Sequence, residues 1–235
     1  MINATAATPA VELENLRFAY GAGRNVLAID ALRINRGETV FLHGSSGSGK
    51  TTLLGLLAGV LRATSGSVKV LGSNFSAMSN GARDSFRAKH LGYVFQMFNL
   101  IPYLSVQENI LLPCRLDATR RERAGASLPD SAAEMAAQLD IAAYLHTPCT
   151  QLSVGQQQRV AAARALIGHP EVVICDEPTS ALDTDRREQF LQLLFASCDK
   201  AGATLVFVSH DLTLQSLFSR TVSLSSINSA SDARN

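Results

Sequence analysis

The chain has 235 residues, 46% of them apolar and 17% charged, with a formal net charge of +1. That balance is globular, allows a sizeable core and excludes an intrinsically disordered chain. Near-neutral charge, the absence of Trp and an aromatic content of 6% argue against a nucleic-acid partner, which would need a basic surface or stacking platforms.

The first ten residues have neither a basic start nor a long apolar run, which argues against a signal peptide. No apolar stretch is long enough to span a bilayer directly, so work at a membrane would need another anchor. Cys114, Cys149, Cys175 and Cys198 show no metal-ligand spacing and read as reduced, mostly buried thiols.

In chain order, Val11–Phe18 alternates and reads as a strand, residues 26–34 as a second, and residues 21–23 as the turn between them. Thr39–His43 is a short apolar strand that runs into a glycine loop. Residues 50–61 have helical spacing, with Leu53, Leu54, Leu57 and Leu61 on one face, and residues 66–71 are another strand. Residues 80–168 read as a largely helical insert, with a strand at 91–95 and helices at 131–139 and 156–167. Within it, Arg120, Arg121, Glu122 and Arg123 form a charge run that reads as a solvated face or loop. Residues 172–175 are a strand, 183–198 a helix with one apolar stripe, 204–209 a buried strand and 221–224 an edge strand. The Ser/Asn-rich residues 225–235 are expected to fray. The domain reading is a single unit over residues 1–228, with a core at about 11–79 and 169–228, the insert at 80–168, and a disordered tail at 229–235.

Gly44, Ser45, Ser46, Gly47, Ser48, Gly49, Lys50 and Thr51 match G-x-x-x-x-G-K-[ST] between a strand and a helix. Such a loop turns its N–H groups toward phosphates at a helix N-terminus. Lys50 suits the β- and γ-phosphates, and the Thr51 hydroxyl suits Mg2+. Asp176 and Glu177 end an apolar strand. Asp176 suits a hold on Mg2+ and Glu177 suits polarising an attacking water. A turn or helix cap would explain the acidic pair alone, but the upstream phosphate loop favours the chemical reading. His210 follows another core strand, where α/β sheets place ligands, and could contact the γ-phosphate. Gln96 could offer its amide oxygen to Mg2+. Tyr20 could stack on a base, or be an ordinary surface aromatic. Leu152, Ser153, Val154, Gly155 and Gln156 open a helix, which a simple Ser cap would also explain. Together with the phosphate loop, this segment suggests a second phosphate-reading surface, one that two chains placed head to tail could bring to the same nucleotide.

The ordered set resembles the ATP-binding cassette (ABC) ATPase family over nearly the whole chain. The resemblance implies an α/β P-loop NTPase core with an antiparallel β-subdomain and a helical subdomain. Residues 44–51 resemble the Walker A loop, and residues 172–176 resemble Walker B with Glu177 as catalytic base. Gln96 resembles the Q-loop glutamine, and Ser153, Gly155 and Gln156 the signature. Ser180, Ala181, Leu182 and Asp183 resemble the D-loop, His210 the switch histidine and Tyr20 the adenine-stacking aromatic. Thr52 is counted with the nucleotide-contacting residues on the same ground. The implied ligands are ATP and Mg2+. The implied partners are a second cassette, most simply another copy, and a membrane permease that holds the protein at the cytoplasmic face of the inner membrane. Residues 96–102, 105–109, 111–113 and 152–166 resemble the lipoprotein-releasing and macrolide-exporter group (LolD/MacB-like). An amino-acid-type importer ATPase and a signalling cassette are the alternatives. Val154 stands where the family has Gly, and a β-branched residue resists positive φ. Residues 221–227 also lack the acidic-Gly turn common at the end of such cassettes.

Overall fold

The computed structural model of the chain describes residues 8–21, 23–180 and 184–230. Burial alternates along β1 (Val11–Phe18) and β2 (Leu27–Ile34), which pair antiparallel from Val11 opposite Ile34 to Phe18 opposite Leu27. β3 (Thr39–His43) is apolar and buried at Val40, Phe41 and Leu42, the pattern of a strand covered on both faces. After the glycine loop comes α1 (Lys50–Leu57), shorter than the 50–61 spacing suggests. Past Leu57 the chain turns, and the amides of Val60 and Leu61 both bond back to the carbonyl of Gly55. β4 (Ser65–Val70) and β5 (Ser73–Asn74) complete a four-stranded sheet in the order β2-β1-β4-β5.

α2 (Asn80–His90) is capped by Ser79 and leads directly into β6 (Leu91–Val94). β6 pairs parallel with β7, so it belongs to the core sheet. Beyond β6 lies the helical portion. It comprises α3 (Val106–Leu116), α4 (Ala118–Ala124), α5 (Leu128–Gln138), two short 3-10 turns and α6 (Val154–Leu166). α3 and α6 each start with a capping box, Ser105 with Glu108 and Ser153 with Gln156. β7 (Val172–Asp176), α7 (Thr184–Ala201), β8 (Thr204–Val208), β9 (Arg220–Ser223) and α8 (Leu224–Ile227) follow. The second sheet is parallel throughout, in the order β6-β7-β8-β3-β9. One apolar cluster packs this sheet against α3, α5, α6 and α7; the other joins its opposite face to α1 and the antiparallel sheet.

Two further expectations change. The charge run is not solvated throughout: Arg120 is 1% exposed, Arg121 donates to the Cys114 carbonyl, and Arg123 pairs with Glu171 at 3.0 Å. Residues 225–230 are ordered rather than frayed. Asn228 is buried, accepts from the Ala28 amide at 2.8 Å and donates to the carbonyls of Val26 and Ser48, while Ser229 donates to the Ala28 carbonyl. Composition suggests a loose tail, but one buried amide side chain pins it to β2 and to the glycine loop. All four cysteines are buried and free, as expected.

Asn228→Ala leaves buried main-chain groups without partners. It is expected to lower stability by about 1–3 kcal/mol, read as a lower urea midpoint at unchanged slope. An unchanged midpoint would show that this C-terminal clip is dispensable.

Candidate functional site

The glycine loop joins β3 to α1 and keeps its shape through its own atoms. Lys50 Nζ donates to the Gly44 carbonyl at 2.7 Å and to the Ser45 carbonyl at 3.1 Å. Gly49 caps α1 with φ 103°, and a Cβ there would stand 2.7 Å from Leu27 Cδ2, so both backbone and packing require glycine. α1 has no side-chain cap and no acid in its first turn, which leaves its positive end open to an anion. The Ser48 Oγ is buried without a hydrogen-bond partner among the described residues.

Strand register brings the remaining groups to this loop. Asp176 lies opposite Val208, and Val208 opposite Leu42, so β7, β8 and β3 end level with one another. Thr51, in the first turn of α1, lies beside the Asp176 carboxylate. Burial, then the neighbouring Glu177 charge, raises the Asp176 pKa; the nearby Thr51 hydroxyl and Lys50 oppose that rise only in part. Glu177 has φ 49°, a left-handed conformation that costs a non-glycine residue about 1–2 kcal/mol. Its carboxylate is 14% exposed and meets His210 Nδ1 at 2.5 Å, while the His210 ring is 69% exposed. Tyr20 is 59% exposed, stands edge-on to Phe18 at 4.9 Å, and its hydroxyl lies 3.2 Å from Thr52 Oγ1. Gln96 is exposed two residues beyond β6, whose last residue lies opposite Cys175.

Ser153, Gly155 and Gln156 stand outside this cluster. They line a separate cleft of about 580 Å3 with Asp140, Tyr144 and Arg159. Ser153 Oγ accepts from the Gln156 amide and Gln156 Oε1 accepts from the Ser153 amide, so the amides of Val154 and Gly155 remain at the free end of α6. Val154 is the first residue of α6, is 49% exposed, and is not among the residues with positive φ. Its β-branch is therefore accommodated in this structure. Asp183, with Ala181 and Leu182, lies outside the described residues.

Sequence reading missed Tyr93. Burial, then Asp176 and Cys175, raises its phenol pKa, and its ring lies 4.2 Å from Phe95. Its only signal was period-two placement in the strand before Gln96.

A parallel sheet whose strand ends gather a phosphate-type loop, a Thr–Asp pair and a Glu–His pair defines a nucleotide-triphosphate-hydrolysing cassette. The family model for the ABC transporter matches residues 28–180. The chain belongs to the ABC transporter family, as its ATP-binding cassette. It is 42% identical over 207 residues to the uncharacterized ABC transporter ATP-binding protein YbbA of Escherichia coli K12, covering 87% of this chain and 89% of that protein. It is 39% identical over 221 residues to the lipoprotein-releasing system ATP-binding protein LolD of Anaeromyxobacter dehalogenans, covering 93% and 91%. An ATP-binding cassette solved as a dimer in a post-hydrolysis state bound to ADP and Pi superposes with a TM-score of 0.80 at 32% identity, covering 91% of this chain and 93% of that one.

Since Val154 already has helical backbone, Val154→Gly should change helix stability by no more than about 1 kcal/mol and leave ATP turnover equal or higher. A collapse of turnover in a folded variant would show that the valine side chain itself is needed.

Proposed function

We propose that the chain binds and hydrolyses ATP as the cassette subunit of a LolD/MacB-like transporter, with two cassettes closing head to tail around the nucleotide. The observation that carries this reading is the shared sheet edge, where the Glu177–His210 contact and Asp176, beside Thr51, meet the glycine loop. Residues 44–52 hold the phosphates. Lys50, now donating to loop carbonyls, exchanges them for the β- and γ-phosphate oxygens. Tyr20 presents an open ring face for the adenine.

The donor set suits Mg2+. A hydroxyl and a carboxylate stand side by side, and burial with the neighbouring Glu177 charge leaves Asp176 in need of a cation. Thr51 and Asp176 would hold the ion, with the Gln96 amide oxygen as a further ligand. When bound, it would neutralise charge on the β- and γ-phosphates. Glu177 takes the proton of the attacking water, and His210 holds the Glu177 carboxylate and reaches toward the γ-phosphate. Ser153, Gly155 and Gln156 serve the nucleotide of the facing copy, because within one chain they line a different cleft. Asp183 is assigned to the same interface on the resemblance alone.

No helix among the described residues is long and apolar enough to cross a membrane. A permease would supply the anchor and hold the cassette at the cytoplasmic face of the inner membrane. A groove of about 320 Å3 supports such docking; Leu91, Tyr93, Leu112 and Leu116 line it, and the exposed Phe95 and Met97 lie in the adjoining chain. Nothing in this assignment gives the cassette contact with cargo or nucleic acid.

Glu177→Gln removes the proton acceptor and keeps the shape. With ATP and Mg2+ it should run as a dimer on gel filtration with hydrolysis reduced at least about a hundredfold. A monomer that still hydrolyses at the wild-type rate would refute the role given to Glu177.

A further inference from the structure

Arg120 is the largest of the fully buried side chains, and no part of the site described above uses it. It projects from α4, the short helix that carries the charge run. Its Nε donates to the Ile167 carbonyl at 2.8 Å, Nη1 to the Leu91 carbonyl at 2.9 Å and Nη2 to the Ala165 carbonyl at 3.0 Å, with a further Nη2 bond to Ile167. Burial pulls its pKa down to about 10, which still leaves it charged at neutral pH. A buried cation is costly unless its donors are met, and here main-chain carbonyls meet them.

Those carbonyls have a common location. α6 ends at Leu166, so Ala165 and Ile167 present carbonyls left free at the helix C-terminus, the negative end of its dipole. Leu91 opens β6, the core strand that leads toward Gln96. The approach is close because Gly92 has no side chain: a Cβ there would stand 2.3 Å from the Ala165 carbonyl oxygen. Beside it, Arg123 grips Glu171 with both terminal nitrogens at 3.0 Å, and His90 joins the same carboxylate at 3.1 Å. The opposite end of α6, about 20 Å away at 1.5 Å per residue, carries Ser153 and Gly155.

We propose that Arg120 is a positioning residue for ATP turnover: it locks the C-terminal end of α6 to β6, and so sets where Ser153 and Gly155 stand when two cassettes close. This rests on the reading of those two residues as contacts to the facing nucleotide. The guanidinium is suited to the task because its planar fork serves three carbonyls at once. An ammonium has a single centre from which to reach them. Small angular freedom at this end becomes a displacement of several ångströms at the other, and misplacement on that scale costs turnover more than nucleotide binding.

The test compares full-length Arg120→Lys and Arg120→Met with wild type, each well below its own melting temperature. Three quantities are read: kcat and KM for ATP with Mg2+, binding of a fluorescent ATP analogue to the monomer, and hydrogen exchange along α6. For Arg120→Met, kcat should fall about tenfold or more, with analogue binding within about twofold of wild type. Exchange should quicken along α6 but not in β3 or β8, and Arg120→Lys should recover part of both effects. Should Arg120→Met fail to fold, the lysine variant carries the comparison, with smaller changes in the same directions. Wild-type kcat in the folded variants, unchanged exchange in α6, or parallel losses of binding and turnover would overturn the proposal. A wild-type chain that does not hydrolyse ATP would refute the catalytic reading instead, and the exchange measurement would still decide the role of Arg120.

Discussion

Everything chemical in this molecule depends on strands running in parallel and ending level. β6, β7, β8 and β3 point the same way, and the pairings of Asp176 with Val208 and of Val208 with Leu42 fix where they stop. Each strand then hands its next few residues to one edge: the glycine loop after β3, Asp176 and Glu177 at β7, His210 beyond β8, Gln96 beyond β6. A register slip of one residue in any of these strands would reverse the faces of its side chains and scatter the set. Burial keeps the register, because β7 and β8 are buried along their whole length.

The edge is electrostatically incomplete. Asp176 is held above its ordinary range by burial and by the Glu177 charge, Lys50 is occupied with loop carbonyls, and the Ser48 hydroxyl has no partner among the described residues. Such a site gains from an anionic ligand accompanied by a cation. Glu177 adds a left-handed backbone, a strained conformation of the kind found where a group must act, and its carboxylate meets His210. α6 contributes from elsewhere: its free N-terminal end carries Ser153, and its C-terminal end is gripped by Arg120.

The glycine loop and the strands around it were legible in the sequence because the loop is contiguous backbone set between short apolar strands. Glu177 and His210 were legible as strand-end residues, although their contact spans 33 positions and only the fold brings them together. The backbone of Val154 could not be read, since residue type sets a preference and the capping box of α6 sets the outcome. Arg120 was misread for a sharper reason. Its partners lie 29 to 47 residues away, at the places where one helix ends and one strand begins, and a run of arginines carries no mark of which member turns inward. Asn228 has the same character, reaching across 200 residues to close the end of the chain onto β2. Within residues 80–168, α2 leads into a core strand, a pairing with β7 that local sequence does not carry.

The central claim is that one working site takes Lys50 from one copy and Gly155 from another. Mixing two inactive chains tests it directly. Lys50→Ala removes the phosphate-binding cation. Gly155→Asp places a like charge against the phosphates while remaining favourable in the first turn of α6. Neither variant should turn over ATP alone, and an equimolar mixture should recover turnover, because the mixed dimer holds one site with both residues intact. A mixture of folded variants that stays as inactive as its components would contradict the shared site.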